Sequence, residues 1–490
     1  MSGELTLGRW IRDRARTTPG RVAIDFLGGE TAYAELDERS ESLAGGLLDA
    51  GLVRGDRVAT LTGTSPEHVV VFFACAKAGL VLLPLNWRLA PAELAYQLAD
   101  AEPAVLLASA EHTGTAAGLH ERVAGLEDLV ADSNSLPAAV VADDDGLLLV
   151  YTSGTTGRPK GALLTHANCF WTNLSFDRVA GLADDDVVLS VLPQFHCGGW
   201  NVQPLLAWWK GARVVLEPSF DAARALELIA ERRVTTMMGV PANYLFMANE
   251  PGFASAELSS LRRAVVGGAP MPEALLETWH ERGVEIVQGY GLTEAAPNVL
   301  CLPPEDAVRK RGFAGKPYPH VDVALRDSET GLLVEGVGEG ELVVRGPNVF
   351  AGYWGDADAT AAAFADGWLL TGDVAERDDE GYYRIVGRLK DMVISGGENV
   401  YPAELENVLH EHAAVAEAAV VGVPDERWGE ACLAFVVLAE GGTATAEELL
   451  AFCRGRLAKY KVPREVRFVD ALPRNALSKV AKSELLELVG

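Results

Sequence analysis

The sequence predicts an α/β protein of several layered units. Three observations carry that expectation. Up to about residue 320, β-branched runs alternate with Ala/Leu/Glu-rich helical stretches. After it, closely spaced strands with turn residues such as Asp379-Glu380-Gly381 take over, and a last α+β stretch runs from about Asp391 to Gly490. Alternation of the first kind builds largely parallel sheets covered by helices.

In the first part, the runs Val58–Leu61, Val81–Leu85, Ala104–Ala108, Leu147–Thr152, Val187–Leu192, Ala212–Leu216, Thr235–Val240 and Arg263–Gly267 have strand composition. Tyr33–Ala50, Pro91–Ala99, Ala222–Glu231 and Pro272–Arg282 have helical composition. Val69–Leu85 is the most apolar stretch, but Lys77 and Gly79 interrupt it. It is too short to span a bilayer and reads as a buried helix followed by a strand. The expected β-rich subdomain carries Asp322–Asp327, Gly340–Arg345 and Tyr382–Val386. The last unit carries helices at Pro402–His412 and Ala446–Lys459, and strands at Glu417–Val423 and Ala431–Leu438. No internal repeat is visible.

The formal net charge of −27 over 490 residues argues against a nucleic-acid binder, which needs a basic footprint. A site for a polyanion must then be built locally, from backbone N–H groups and a few Lys and Arg. No two of the six cysteines form a CxxC pair, so neither a zinc site nor a disulfide framework is expected. Met1–Trp10 contains Glu4 and no apolar core, which argues against a signal peptide. A soluble cytoplasmic protein without an integral membrane segment is expected, monomeric or homodimeric.

The strongest motif is Tyr151-Thr-Ser-Gly-Thr-Thr-Gly-Arg-Pro-Lys160-Gly161, which follows the apolar strand Gly146–Val150. Gly154 and Gly157 let the backbone turn N–H groups toward an anion. Thr152, Ser153, Thr155 and Thr156 add hydroxyl donors, and Lys160 adds a positive charge. It is not a Walker A loop, because Arg158-Pro159 separate Gly157 from Lys160. A polar surface turn would have similar composition, yet it rarely concentrates this many hydroxyls.

Further motifs follow in order: Gly267-Gly268-Ala269-Pro270; Gln288-Gly289-Tyr290-Gly291-Leu292-Thr293-Glu294, after an expected strand Val284–Val287; Trp368-Leu-Leu-Thr371-Gly372-Asp373; Gly387-Arg388-Leu389-Lys390-Asp391; Ser395-Gly396-Gly397-Glu398-Asn399; and Pro473-Arg-Asn-Ala-Leu-Ser478-Lys479-Val480. Singly, each reads as a turn, a packing aromatic or a solvated charge. Together, and in this order, they resemble the adenylate-forming superfamily of acyl-CoA synthetases, 4-coumarate:CoA ligases, luciferases and peptide-synthetase adenylation domains.

The resemblance implies a large N-terminal domain over 1–389 and a small mobile C-terminal domain over 390–490, hinged at Lys390. It implies ATP, Mg²⁺ and coenzyme A as cofactor and co-substrates. Gly268, Ala269 and Pro270 would wall the adenine, with Gln288, Gly289, Tyr290 and Gly291 beside it and Tyr290 stacked on the base. Thr293 would bond the α-phosphate and Glu294 would hold the metal, as a hard cation prefers oxygen. Asp373, placed after a tight turn, would accept both ribose hydroxyls, with Arg388 nearby. Lys479 would neutralise charge during adenylation, although Ser478 stands where the family usually has Gly. Ser395, Gly396, Gly397 and Glu398 would line the coenzyme A tunnel.

Pro193-Gln-Phe-His196-Cys-Gly-Gly-Trp200-Asn201 matches the stretch that lines the acyl pocket. His196, Cys197, Gly198, Gly199, Trp200, Val240, Gly267, Ala295, Ala296 and Asn298 are the wall candidates, with Gly198 and Gly199 leaving room. The stretch offers neither a cation for a dicarboxylate nor an acid for an ammonium group, which favours an apolar monocarboxylic acid, fatty or aryl. In 4-coumarate:CoA ligases polar side chains meet the phenol, and Gly198 and Val202 stand at the matching positions. The expected function is an AMP-forming acid:CoA ligase. The alternative is a stand-alone adenylation enzyme that loads a carrier protein; only eleven residues follow Lys479, too few for a carrier domain in cis.

Overall fold

The computed structural model describes residues 3–126, 128, 141–152, 158–395, 398–425, 429–474 and 480–489, with backbone alone at 398, 399 and 429. The early alternation of strands and helices becomes two large sheets. In the first, Val22–Phe26, Arg213–Leu216, Val187–Ser190, Thr236–Gly239, Arg263–Val266 and Ile286–Gly291 lie side by side and parallel. Antiparallel strands at both edges bring the sheet to nine. The second sheet has seven strands; it pairs Arg57–Leu61, Val81–Pro84 and Val105–Ala108 in parallel, continues through the hairpin Gly146–Thr152/Lys160–Thr165 and ends on the short strand Gly352–Tyr353.

One face of the nine-stranded sheet packs on Ala222–Glu231, Pro241–Asn249 and Glu273–Glu281 in a core that contains Tyr244 and Trp279. The other face turns toward the main core, which both large sheets share. Helix Pro66–Ala78 runs through that core and is buried nearly all round, as its unbroken apolar run requires. Ser65 caps its first turn by accepting from His68 N at 3.2 Å, and Gly79 ends it at φ +71°. Strand Val81–Pro84 follows, which fulfils the reading of Val69–Leu85.

The β-rich stretch forms a third sheet of Asp322–Arg326, Gly338–Arg345, Trp368–Arg377, Phe364–Ala365 and Tyr383–Arg388. The last unit is a fourth sheet of five strands, including Val415–Asp425 and Gly429–Leu438, with helices Pro402–His410 and Ala446–Arg454 on its own core.

Three sequence expectations change. The helix expected over Ala446–Lys459 stops at Arg454, where Gly455, a poor helix former, follows. The Gln288–Gly291 motif does not follow a strand but forms the end of one, Ile286–Gly291, paired with Asn298–Cys301. Asp373 does not follow a turn either. Trp368–Arg377 is one strand in which Leu370 faces Val343 and Val374 faces Glu341, so Thr371–Asp373 bulge out opposite Leu342 alone. Gly372 takes the left-handed φ of +68° that the bulge needs. Among the described residues no helix is long and apolar enough to cross a membrane.

Candidate active site

The hairpin Gly146–Thr152/Lys160–Thr165 sets Thr152 opposite Lys160 at the two ends of the glycine- and hydroxyl-rich loop. Glu294, in the 3₁₀ turn Thr293–Ala295, reaches the same place from the other sheet. Its Oε1 accepts from Thr152 Oγ1 at 3.2 Å and from the Tyr353 hydroxyl at 2.9 Å. Tyr353 lies on the short strand Gly352–Tyr353, paired with Lys160–Thr165, and Lys160 Nζ sits 5.2 Å from its ring centroid. Burial, then the Glu294 charge, raises the Tyr353 phenol well above its ordinary pKa, so it remains a donor. The Glu294 carbonyl accepts from Phe350 N at 2.9 Å, which fixes the backbone. Sequence reading missed Tyr353, whose partners lie far from it in the chain.

A second carboxylate, Asp373, is 4% exposed. Its Oδ2 accepts from the Tyr290 hydroxyl at 2.6 Å and its Oδ1 from Arg388 Nε at 2.8 Å. Asp373 and Arg388 are cross-strand partners, which is why the guanidinium finds it. Burial, then the Asp373 charge, holds the Tyr290 phenol well above its ordinary pKa. Tyr290 thus has a hydrogen-bonding task in addition to whatever its ring face covers.

Gly267 and Gly289 lie on the same face as Val265 and Val287, opposite the Tyr244 and Trp279 core, and Met238 Cε is 3.0 Å from where a Gly267 Cβ would stand. Gly268, Ala269 and Pro270 are exposed, and Val240 Cγ1 is 3.4 Å from a Gly268 Cβ position. Gln288 differs from expectation. Its Oε1 accepts from Met271 N at 3.4 Å and its Nε2 donates to Phe313 O at 3.2 Å, so its amide braces the protein rather than facing a ligand.

The expected acyl wall divides into two layers. A Cβ on Gly198 would meet Leu192 Cδ1 at 3.5 Å, an ordinary contact. Gly199 leaves no room: a Cβ there would run into the Pro193 carbonyl, 2.8 Å from its carbon. Trp200 is fully buried, stacked on Phe72 with centroids 4.6 Å apart, and donates from Nε1 to Gln194 O at 2.6 Å. It is a pillar of the core, not a wall. Cys197, Ala295 and Ala296 are likewise core residues. His196 is half-buried, with its ring 4.7 Å from that of Phe195. Asn298 is 6% exposed, and its Nδ2 has no hydrogen-bond partner among the described residues. Asn348 Nδ2 ties the turn by donating to Ala295 O at 2.9 Å and Asn298 O at 3.0 Å.

Lys390 is exposed in the 3₁₀ turn Leu389–Asp391, and Ser395 is buried at the end of Val393–Ser395. Ser153, Gly154, Thr155, Thr156, Gly157, Gly396, Gly397 and Lys479, and the Glu398 side chain, lie outside the described residues.

The chain is similar to known proteins over nearly its whole length. The AMP-binding enzyme family matches residues 11–354, and the AMP-binding enzyme C-terminal domain matches residues 404–479. A feruloyl-CoA synthase from Amycolatopsis sp is 45% identical over 99% of both chains. An indoleacetate–CoA ligase from Aromatoleum aromaticum is 42% identical over 99% of this chain and 98% of its own. The crystal structure of ATP-bound MatB from Rhodopseudomonas palustris superposes with a TM-score of 0.92 at 34% identity, covering 100% of this chain and 99% of that one.

Proposed function

The chain belongs to the AMP-binding enzyme family, and we propose that it converts an aromatic monocarboxylic acid into its coenzyme A thioester at the expense of ATP. It is an AMP-forming acid:CoA ligase. The observation that carries the reading is the Glu294 carboxylate, held by Thr152 and Tyr353 beside Lys160 at the mouth of the hydroxyl-rich loop. Such an array aligns a polyphosphate and neutralises it without a side-chain nucleophile.

In the first half-reaction a carboxylate oxygen bonds to the α-phosphorus of ATP, the bond to the bridging oxygen breaks, and pyrophosphate leaves. In the second, the coenzyme A thiol gives up its proton to solvent, its sulfur bonds to the acyl carbon, the acyl C–O bond to AMP breaks, and AMP leaves. Lys160 and the loop hold the phosphates. Asp373, oriented by Tyr290 and Arg388, accepts from the ribose hydroxyls. Thr293 bonds the α-phosphate, and Lys479 supplies positive charge during adenylation. Rotation about Lys390 of residues 390–490 against 1–389 then exchanges Lys479 for the coenzyme A tunnel lined by Ser395 and its neighbours.

Glu294 suits a magnesium ion, since Oε1 takes both hydroxyl donors and the carboxylate has a second oxygen to give a hard cation. When bound, Mg²⁺ would lower the negative charge met by the incoming carboxylate.

An aromatic acid is favoured over a fatty acid on two grounds. The two relatives above are named for aromatic acids. The buried Asn298 Nδ2 would also stay unsatisfied against an alkyl tail, at a cost of roughly 1–3 kcal/mol. We assign the enzyme to the cytoplasm, as a monomer or homodimer. Pyrophosphate release measured over hydroxycinnamates, arylacetates and alkanoates, with and without coenzyme A, tests the reading. Aromatic acids should lead, with thioester formed only when coenzyme A is present. Preference for alkanoates would refute the acid, and a need for a carrier protein would refute the acceptor. Lys479→Ala should lose pyrophosphate release much more than conversion of supplied acyl-AMP to thioester; equal loss would remove that lysine from the first step.

A further inference from the structure

The face of the nine-stranded sheet that carries Gly267 and Gly289 continues below them. Residues two apart on a strand share a face, so Val265 and Val287 lie one step down from the glycines, and Thr236 lies one step below Met238. Each step is about 6.6 Å, so Thr236 lies roughly 13 Å from the glycine row. At this depth a recess of about 40 Å³ opens between the sheet and the end of helix His166–Ala180. Phe176, Val179, Val265 and Val287 give it apolar walls, and Gln203 and Thr236 are its polar lining on the sheet side.

Gln203 is the unusual member. It is 2% exposed, and its Nε2 donates to Thr236 Oγ1 at 2.7 Å. Its Oε1 is buried and has no hydrogen-bond partner among the described residues. A buried amide oxygen left without a donor is costly, and a native fold rarely keeps one without a use. Between recess and glycine row stands Met238, whose Cε approaches the Gly267 Cβ position to 3.0 Å. An unbranched thioether is the kind of side chain that can swing aside to join the two spaces.

We propose that this recess is the distal compartment of the acyl site, and that Gln203 Oε1 accepts a hydrogen bond from a hydroxyl or ring N–H at the far end of an aromatic acid. The inference rests on the aromatic-acid reading above and adds the residue that selects among such acids. It also supplies the polar anchor that Gly198 and Val202 do not. The volume admits the donor-bearing edge of a ring, not a second ring, and the depth suits a donor remote from the carboxyl group. Arg262, Arg263 and Glu285 line the outer end of the recess, where the acid's far edge would meet solvent.

The test uses three matched acids, 4-hydroxycinnamate, 4-methoxycinnamate and cinnamate, on the full-length wild type and on Gln203→Met. Specificity is read as kcat/KM, with the KM for ATP alongside and circular dichroism to confirm folding. Wild type should favour the hydroxy acid over both others. Gln203→Met should lower kcat/KM for the hydroxy acid about 3- to 10-fold, the range of one neutral hydrogen bond, and leave cinnamate and the ATP KM unchanged. Equal loss for all three acids would show a merely structural glutamine and overturn the proposal. So would a wild type that uses the methoxy acid as well as the hydroxy acid, a result that stands even if the variant fails to fold. Turnover of aromatic acids with an unchanged ranking in Gln203→Met removes the Gln203 assignment alone. A wild type that turns over only alkanoates removes the aromatic reading as well.

Discussion

Two adjacent glycines in the acyl stretch should respond to the same substitution in opposite ways. A Cβ on Gly199 would lie 2.8 Å from the Pro193 carbonyl carbon and 3.2 Å from Gln194 Cα, and closer still to the Pro193 oxygen. The obstacles are backbone atoms, so no side chain can rotate away. The peptide at Pro193–Gln194 must shift, and with it the Gln194 carbonyl that accepts from Trp200 Nε1 at 2.6 Å. Overpacking of this kind costs about 1–3 kcal/mol, and the upper end applies where backbone must move. On Gly198 the same methyl would meet Leu192 Cδ1 at 3.5 Å and Val202 Cγ2 at 3.8 Å, both ordinary contacts. Gly198 also opens the short helix Gly198–Asn201, where Ala gains up to about 1 kcal/mol over Gly. Gly199→Ala should therefore be the less stable variant by at least about 1 kcal/mol. Its loss should appear in urea unfolding followed by tryptophan emission, with Trp200 as a local reporter. Gly198→Ala should keep wild-type stability and ATP KM while changing the ranking of acids. Equal stability of the two variants, or a changed acid ranking confined to Gly199→Ala, would refute the division into an open and a filled glycine.

Tyr353→Phe removes the 2.9 Å donor to Glu294 but keeps the ring beneath Lys160, so the magnesium requirement should rise and kcat/KM fall about 10- to 100-fold; an unchanged magnesium titration would dismiss the role. Tyr290→Phe frees Asp373 Oδ2, so the KM for ATP should rise about tenfold with little change in the KM for acid, and a reverse pattern would place Tyr290 on the acyl side. Burial depresses His68 to about 3 and His166 to about 4, both below the unfolded value near 6.5. The unfolded chain thus binds more protons over that interval, so stability is full above about pH 6.5 and falls as pH drops toward 4, by up to about 1.4 kcal/mol per pH unit for each histidine. Unfolding free energies at pH 7, 6 and 5 should show this slope, and His68→Gln should flatten it; an identical slope in the variant would mean other groups carry it.

What could be read in advance divides along sequence distance. Helix Ala222–Glu231 falls on its expected bounds because Asp221 caps it and its apolar residues recur at helical spacing, both local facts. The strand that ends at Thr152 was legible for the same reason, whereas its partner Lys160–Thr165, which makes the hairpin, was not expected. Tyr353 was not, since its strand has two residues and its importance comes from Glu294, 59 positions away. Gln203 and Thr236 meet across 33 positions with no common motif. Thr371-Gly372-Asp373 has the letters of a turn, and only its pairing with Glu341 and Val343 makes it a bulge. Gly199 shows a deeper limit. A glycine that makes space for a ligand and one that has no space to give are written with the same letter, and only the position of the Pro193 carbonyl separates them.

The site also has to resolve an electrostatic conflict, because a chain of net charge −27 must hold a polyanion next to two carboxylates of its own. Two like charges 4 Å apart repel by about 4 kcal/mol at an effective dielectric near 20. Asp373 escapes most of this. Arg388 at 2.8 Å balances its charge and Tyr290 at 2.6 Å takes up its second oxygen, so toward a sugar it acts as an oriented acceptor rather than a free anion. Among the described residues Glu294 has no cation as near: its Oε1 meets two neutral hydroxyls, and Lys160 lies over the Tyr353 ring rather than against the carboxylate. On the proposed reading this asymmetry has a purpose. The carboxylate without an ionic partner among the described residues is the one that needs a dication, and the ribose-side carboxylate is the one already balanced. On the same proposed reading Lys160 alone would not offset the phosphates, so adenylation should depend on a further lysine, Lys479, which the proposal brings from residues 390–490.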